Sequence, residues 1–131
     1  MDFNECVRKR LVKDVKKDEN QIFSIRDIAK IKIKSANVLP KEHFISKITL
    51  LYDALRENLE CVALEKGYKI YNHECYTSFI REILNKSNEA ERFDKMTKIR
   101  NGINYYGQKV DKDEAEYIID EIKKLIKEFS E

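Results

Sequence analysis

The sequence predicts an all-α protein, an up-and-down bundle of four to five helices in one globular domain. The 131 residues include only three Gly and one Pro, too few for the frequent turns of a β-sandwich or barrel. Apolar residues recur at three- and four-residue spacing over long stretches, as on the buried face of a helix. Apolar residues make up 42% of the chain, which is enough for a core and argues against disorder. The connections between periodic stretches are short, so we expect successive helices to be antiparallel neighbours.

Two long helices are predicted at about 18–38 and 42–66. The first has Ile22, Ile25, Ala29, Ile33 and Ala36 at helical spacing. Pro40 ends it, because proline cannot continue a helix. Gly67 is the natural left-handed terminator of the second helix, whose apolar stripe comprises Phe44, Ile48, Leu51, Leu55, Leu59 and Val62.

Three further helices follow the connector Tyr68–Tyr71. Asn72 can cap a helix at about 73–85, and Ser87 or Asn88 can cap another that reaches roughly to Tyr105. A capping box, Asp111-x-x-Glu114, opens the last helix. Its apolar stripe comprises Ala115, Ile118, Ile122, Leu125 and Phe129.

Residues 1–17 are expected to form a basic segment outside the bundle of residues 18–131. Their periodicity is weak, and one interpretation is a short helix that docks on the bundle or on a partner. Residues 1–34 contain ten Lys or Arg and six Asp or Glu, a net charge of +4, and the total of +2 leaves −2 for the rest. Either this segment is simply solvated, or an arm contacts phosphate groups through Arg8, Lys9, Arg10, Lys13, Lys16 and Lys17.

The cysteines and the first residues predict a cytoplasmic protein. Cys6, Cys61 and Cys75 are odd in number and lack C-x-x-C spacing, which favours reduced thiols over a disulfide framework. Cys61 and Cys75 are interpreted as small core residues. No apolar run has the ~18 residues of a membrane-spanning helix. Asp2 and Glu5 stand where a signal peptide would carry basic residues.

The sequence lacks a complete zinc deaminase signature and the common glycine motifs for phosphate binding. His73-Glu74-Cys75 matches the H-x-E part of a zinc deaminase signature, but the P-C-x-x-C part is missing because the only proline is Pro40. Neither common glycine motif for phosphate binding occurs. We therefore expect no metal and no cofactor. The only other histidine, His43, is interpreted as a surface residue, and for His73 a structural role is the first interpretation.

Residues 99–107 differ from the surrounding helices. The sequence Ile-Arg-Asn-Gly-Ile-Asn-Tyr-Tyr-Gly has poor helix propensity, and Gly102 alone should cost about 1 kcal/mol relative to Ala in a helix interior. A fraying helix end would account for Gly102 and Gly107, but not for Arg100, Asn101 and Asn104. Such a local conflict is typical of a functional site.

Helical geometry divides this segment between two sides. The predicted core stripe comprises Met96, Ile99, Ile103 and Tyr106. Arg100 and Asn104 lie on one shoulder of it and Asn101 and Tyr105 on the outer side, so Arg100 and Tyr105 point about 140° apart. A straight helix would not direct both at one ligand. Either the helix ends or bends near Gly102, or two chains of a dimer combine their shoulders into one polar cleft.

The segment Lys98–Gly107 resembles the signature region of the HEPN domain family, small helical bundles whose hallmark is Arg, four to six residues, then His, often beginning Arg-Asn. The resemblance extends over about residues 18–130 and includes the long paired helices, the Gly67 terminator with its Gly-Tyr-Lys-Ile-Tyr-Asn-His connector, and the final amphipathic helix. It implies metal-independent RNA cleavage by the motif's Arg and His at a homodimer cleft. Many members are encoded beside a minimal nucleotidyltransferase as toxin and antitoxin, which implies such a partner.

Arg100 and Asn101 match the family motif, but the histidine is replaced. Tyr105, Tyr106 and Gly107 occupy the positions where it should fall. Cleavage through the 2′-hydroxyl of RNA needs proton transfer by groups with a pKa near the working pH. A tyrosine, with a pKa of about 10, is a poor base at neutral pH. Arg100 alone could bind phosphate and stabilise a charged transition state.

Three hypotheses remain. The first is a HEPN-like homodimeric module without efficient catalysis, whose cleft binds a phosphate-bearing ligand or a nucleotidyltransferase partner through Arg100, Asn101, Asn104, Tyr105 and His73. The second is a metal-independent ribonuclease in which Arg100 binds the scissile phosphate and Tyr105 or His73 transfers the proton. The third is a bundle without a cleft function. Two Arg100 side chains facing one another across a solvent-filled cleft would favour the first two hypotheses. An Arg100 paired with a carboxylate of its own chain would favour a structural role.

Overall fold

The structure, a computed structural model, describes residues 1–130 and is 75% helical within them. It contains α1 (Phe3–Arg8), β1 (Val12–Asp14), α2 (Glu19–Val38), α3 (Phe44–Glu65), β2 (Tyr68–Ile70), α4 (His73–Ser78), α5 (Ser87–Tyr106) and α6 (Lys112–Phe129). A single π-helical turn, Phe79–Ile83, continues α4. The prediction of an all-α helical bundle is confirmed.

The helices α2 and α3 are antiparallel neighbours. Near the end of α2, the carbonyl of Ala36 accepts a hydrogen bond of 2.8 Å from Lys47 at the start of α3. Near the other end, Arg26 donates to the side chain of Asn58 at 2.8 Å and to the carbonyl of Phe129 at 2.9 Å. The second of these bonds places the end of α6 beside the start of α2, so α6 runs parallel to α3.

The helices α5 and α6 are also antiparallel. Lys86, just before α5, pairs with Glu128 near the end of α6. Further along, Lys95 donates to the hydroxyl of Tyr117 at 3.3 Å. The four long helices therefore alternate in direction along the chain, as the short connections predict. The central helix α3 packs against α2, α5 and α6.

Most helix ends follow the local sequence signals. The side chains of Asp18, Asn72 and Asp111 accept hydrogen bonds from the backbone N–H groups of α2, α4 and α6, which would otherwise lack partners. Gly67 and Gly107 follow α3 and α5 with φ of 85° and 64°, backbone angles that glycine adopts without steric cost.

The third helix ends at Ile83, close to its predicted end near residue 85, but only His73–Ser78 is α-helical. The rest is the π-helical turn, which brings Phe79 and Ile80 into the core. One predicted boundary is wrong. The predicted cap at Ser87 or Asn88 is not used. The residue before α5 is Lys86, and its side chain makes no capping hydrogen bond.

The first 17 residues contribute to the same core as the long helices. Phe3 is buried and its ring packs edge-on against Tyr68, with 5.2 Å between ring centroids. The strands β1 and β2 pair in antiparallel fashion, with Val12 opposite Ile70, so the predicted connector 68–71 is largely a strand. The six basic residues of the segment belong to α1, β1 and their flanks, and Lys16 and Lys17 are exposed.

The prediction of three reduced thiols is wrong. Cys6 of α1 and Cys75 of α4 form a disulfide, with 5.9 Å between their Cα atoms. Both residues are fully buried. The bond joins the N-terminal segment to the bundle. The prediction from cysteine number failed because an odd count does not exclude a disulfide. Three cysteines can form one disulfide and leave one thiol free.

Cys61 is the only free cysteine within residues 1–130, and it is buried as predicted. Its thiol donates to the carbonyl of Ile22 at 3.5 Å. Burial raises the pKa of this thiol to about 11.

Since alkylation requires the thiolate, we expect iodoacetamide to modify Cys61 at pH 8 at least about 100-fold more slowly in the native protein than in urea. Mass spectrometry of timed aliquots measures both rates. Equal rates in the two conditions would contradict the burial of this thiol.

No helix within residues 1–130 is long and apolar enough to cross a membrane.

Candidate functional site

Arg100 lies in the last third of α5 and faces α3. The helix continues through Gly102 to Tyr106, so the alternative in which it ends near Gly102 is wrong. Instead, the chain turns back after Gly107, and the backbone N–H of Gln108 donates to the carbonyl of Gly102 at 3.0 Å. The side chain of Gln108 covers Gly102, and its Oε1 occupies the space that a Cβ at that position would need. The segment 99–107, with its unusual composition, therefore forms the last turns of α5 and its C-terminal end.

The guanidinium of Arg100 lies between two tyrosine rings. Its Cζ atom is 5.1 Å from the ring centroid of Tyr52 on α3 and 5.4 Å from that of Tyr105. Nη1 donates to Oδ1 of Asn101 and to the hydroxyl of Tyr105, both at 3.3 Å. These contacts hold the cation through both cation–π and hydrogen-bonding interactions. The Arg100 side chain retains 21% of its exposure.

Arg100 and Tyr105 leave α5 in directions about 140° apart, yet their side chains meet. Their Cβ atoms point in different directions, but both side chains are long and curve across the helix surface until the hydroxyl of Tyr105 reaches Nη1. A helical wheel gives the direction in which a side chain leaves the backbone and ignores its length.

Arg100 is only loosely paired with a carboxylate of its own chain. Nη2 lies 3.8 Å from Oδ1 of Asp53, beyond the usual 2.7–2.9 Å or so of a charge-assisted hydrogen bond. Lys32 of α2 also approaches Asp53, at 3.8 Å, and pairs more closely with Glu57, at 2.9 Å. The Nε of Arg100 is buried without a hydrogen-bond partner among residues 1–130. A pair with a carboxylate of the same chain is what a structural arginine would have. Here, however, Nε and Nη2 of Arg100 still lack a hydrogen bond.

Tyr52 forms a rigid base under Arg100. The Tyr52 hydroxyl and Oγ1 of Thr97 are hydrogen-bonded at 2.8 Å, and Thr97 donates to the carbonyl of Phe93 at 3.0 Å. The ring of Phe93 stacks on that of Tyr52, 6.3 Å between centroids and 9° between planes. Burial raises the pKa of Tyr52, so its hydroxyl is protonated at neutral pH. The cation therefore lies against a fixed, uncharged ring.

The other predicted site residues lie at different distances from Arg100. Asn101 and Tyr105 contact it directly. Asn104 is exposed on the next turn of α5. His73 begins α4 and lines a depression of about 250 Å³ with Asp94 and Lys98, and Arg100 is not part of its lining.

The exposed end of α5 also differs from the prediction. Tyr106 was expected in the core, but it is 79% exposed, and Tyr105 is 67% exposed. Ile99 and Ile103 are partly buried against the core. The last turn of the helix therefore presents Tyr106 to solvent together with Tyr105, which contacts the guanidinium of Arg100.

Sequence reasoning missed Tyr52 and Asp53. Tyr52 follows Ile48 by four residues, which is the spacing of one helix face, but the predicted apolar stripe of α3 passes through Leu51 and Leu55 and does not include it. No local signal connects it or Asp53 to Arg100, because the residues are 47 or more positions apart and meet only when α3 and α5 pack. The only indication in the sequence that these two residues belong to a site was an aspartate that directly follows a tyrosine in a largely apolar helix.

The site offers a cation, amide groups and aromatic rings, which suit an anionic ligand with planar groups. Within residues 1–130, no three side chains of His, Cys, Asp or Glu converge on a common point where a metal ion could bind. Comparison of this chain with protein-family models, with curated proteins and with solved structures found no match.

Proposed function

We propose that this protein is a HEPN-like homodimeric module of a toxin–antitoxin type system, which binds a phosphate-bearing ligand at Arg100 without efficient catalysis. The observation that supports this most directly is the incompletely bonded guanidinium of Arg100. It is held in place by Tyr52 and Tyr105, while its Nη2 has only the 3.8 Å contact with Asp53. A phosphate could replace that long contact with two short charge-assisted hydrogen bonds.

The neighbouring side chains favour a nucleic acid as the phosphate-bearing ligand. Tyr105, which contacts Arg100, and the adjacent Tyr106 are both mostly exposed, and exposed aromatic rings stack on unpaired bases in sequence-tolerant binding. The amides of Asn101 and Asn104 add donors and acceptors without adding negative charge. Single-stranded RNA offers a phosphate for Arg100 beside an unpaired base that can stack on a tyrosine ring. It is therefore the ligand that we propose to test.

Catalysis is disfavoured by the chemistry of proton transfer. Among the described residues, the ionisable side chains that contact Arg100 are two tyrosines, Tyr52 and Tyr105, and Asp53, which pairs with the cation itself. A phenol is in general a weak base at neutral pH. His73 lies in a depression whose lining does not include Arg100. Arg100 could stabilise charge in a transition state, but the site contains no group suited to deprotonate a 2′-hydroxyl at pH 7.

One observation favours a ribonuclease as the second candidate function. The hydroxyl of Tyr105 lies 3.3 Å from Nη1 of Arg100, so a phosphate bound by Arg100 would be near a group that exchanges protons. The family resemblance also implies a nucleotidyltransferase partner. Such a partner would contact the exposed Tyr105 and Tyr106 at the end of α5.

Binding is tested with a fluorescently labelled single-stranded RNA of about 12 nucleotides, by anisotropy at fixed salt. Arg100→Ala should weaken binding by about 10- to 100-fold, because it removes a charge-assisted contact worth about 1.5–3 kcal/mol. Asp53→Asn should tighten binding by up to about fivefold, since it removes the carboxylate that competes for Nη2.

Arg92→Ala is the matched control. It removes the same charge from the same helix, but Arg92 already bonds Glu121 at 2.9 Å, so the affinity should stay within about twofold of the wild type. Wild-type affinity in Arg100→Ala, or no binding by the wild type, would overturn the proposal. Cleavage of the RNA in the presence of a chelator, lost in Arg100→Ala, would replace it with the ribonuclease.

A further inference from the structure

The outer face of α2 carries apolar side chains that the bundle does not use. Phe23 is 73% exposed, Ile31 56% and Val38 82%, and Ile28 lies beside them at 45%. The core side of the same helix is already occupied by Ile22, Ala29 and Ala36. Scattered exposed apolar residues are common, but at 100° per residue Phe23, Ile31 and Val38 fall within about 80° of one another on one face.

Three charged side chains lie within this face. Asp27 and Lys34 project between the apolar positions, at about 40° and 20° from Phe23 around the helix, and Lys30 lies at its edge, about 20° from Phe23 on the other side. All three are exposed, and none has an ion-pair partner in the part of the chain that the structure describes. One acidic and two basic side chains are therefore available for contacts outside the chain.

The order of these residues is close to a palindrome. When two α2 helices pack antiparallel about a two-fold axis near residue 31, Phe23 lies opposite Val38 of the second copy. Asp27 then lies opposite Lys34, and Ile31 packs beside its own equivalent near the axis. Because a two-fold axis repeats every contact, this register forms two ion pairs and buries both ends of the apolar face.

We infer that the outer face of α2 is the surface through which two copies of this chain associate, in antiparallel register with Asp27 opposite Lys34. This inference rests on the homodimer of the proposed function and specifies its interface. The occupant is a second copy because Asp27 and Lys34 complement one another across the axis and Phe23 meets Val38, while Lys30 lies at the edge of the face. The helix from Phe23 to Val38 is about 22 Å long, which makes a small interface, so we expect a dimer that dissociates on dilution.

Sedimentation velocity across a concentration series tests the register through charge reversal. Asp27→Lys should weaken the dimer by about tenfold or more, since both ion pairs become like-charge contacts. Asp27→Lys combined with Lys34→Asp restores opposite charges across the axis and should restore the dimer. Glu116→Lys makes the same charge change at an exposed position of α6 and should leave association unchanged.

Cysteine cross-linking provides a second measurement, which reports which positions lie close together across the axis and does not depend on the stability of the variant. Ile31→Cys places two thiols beside the axis and should give a covalent dimer under mild oxidation. Val38→Cys is the matched control, because its two copies would be about 22 Å apart along the helices in this register. Cross-linking through Val38→Cys and not through Ile31→Cys would overturn the register.

The remaining outcomes separate this inference from the proposed function. A wild-type dimer that Asp27→Lys does not weaken would overturn the α2 interface and leave the homodimer standing. A wild-type monomer at every concentration would overturn both the interface and the homodimer. Binding of RNA by Arg100 is measured on its own by anisotropy, so either result leaves that part of the proposed function to be decided independently.

Discussion

Reduction of the Cys6–Cys75 disulfide is expected to lower the free energy of unfolding by about 4 kcal/mol. The two cysteines are 69 residues apart in sequence, so the bond closes a long loop and restricts the unfolded chain strongly. The stabilisation comes mainly from this lost entropy of the unfolded state. For a chain of this size the midpoint of thermal unfolding should fall by more than about 10 °C.

Urea unfolding followed by circular dichroism, with and without a reducing agent, measures this difference. Thiol titration in denaturant should find one free thiol before reduction and three after it. Cys61→Ala is the matched control, because it removes a buried thiol outside the disulfide and should keep the difference between oxidised and reduced protein. Superimposable unfolding curves under both conditions would contradict the prediction.

The reduced protein should keep its long helices and loosen first at the N-terminus. Phe3 still packs on Tyr68, and β1 still pairs with β2, but the covalent bond between α1 and α4 is gone. Hydrogen exchange should therefore accelerate most in residues 3–14. Uniform acceleration over α3 and α6 would instead indicate that reduction destabilises the whole bundle equally.

Phe93→Ala is expected to lower the free energy of unfolding by about 3–5 kcal/mol. Phe93 is fully buried, stacks on Tyr52 and meets Tyr76 edge-on at 6.5 Å. Truncation leaves a cavity where three aromatic rings meet, and the surrounding helices cannot close it without moving α5. Because Tyr52 supports Arg100, the same variant should also weaken RNA binding if it remains folded.

Phe23→Ala provides the control for this prediction within the same chain. It removes the same side chain from an exposed position on α2, so the stability of the monomer should change by no more than about 0.5 kcal/mol. Chemical denaturation at a concentration below the dimer range compares the two variants. Equal losses of stability would contradict the burial of Phe93 or the exposure of Phe23.

The helices of this protein were predictable because their signals are local. Apolar residues three and four positions apart select the buried face of α2, α3 and α6, and the caps at Asn72 and Asp111 are decided within one turn of the helix. Gly67 and Gly107 end their helices through their own backbone angles. These features depend on residues within about four positions of one another.

The arrangement of the N-terminal segment was not predictable in this way. Strand β1 is three residues long and becomes a strand only because β2 lies beside it. The pairing of Cys6 with Cys75 likewise depends on where α1 packs. A weakly periodic segment of 17 residues carries no local information about which distant surface will cover it.

The sequence by itself determined that the protein is a helical bundle and that Arg100, in an unusual helical segment, is its most prominent candidate site residue. Only the tertiary structure decided the surroundings of Arg100, which are the ring of Tyr52 beneath it and Asp53 near its Nη2, and it placed His73 in a depression whose lining does not include Arg100. Helix formation depends on neighbours along the chain, whereas the contacts of a side chain at a helix surface depend on which helices pack together. The packing of α3 against α5 is a property of the whole core, so no short segment contains it.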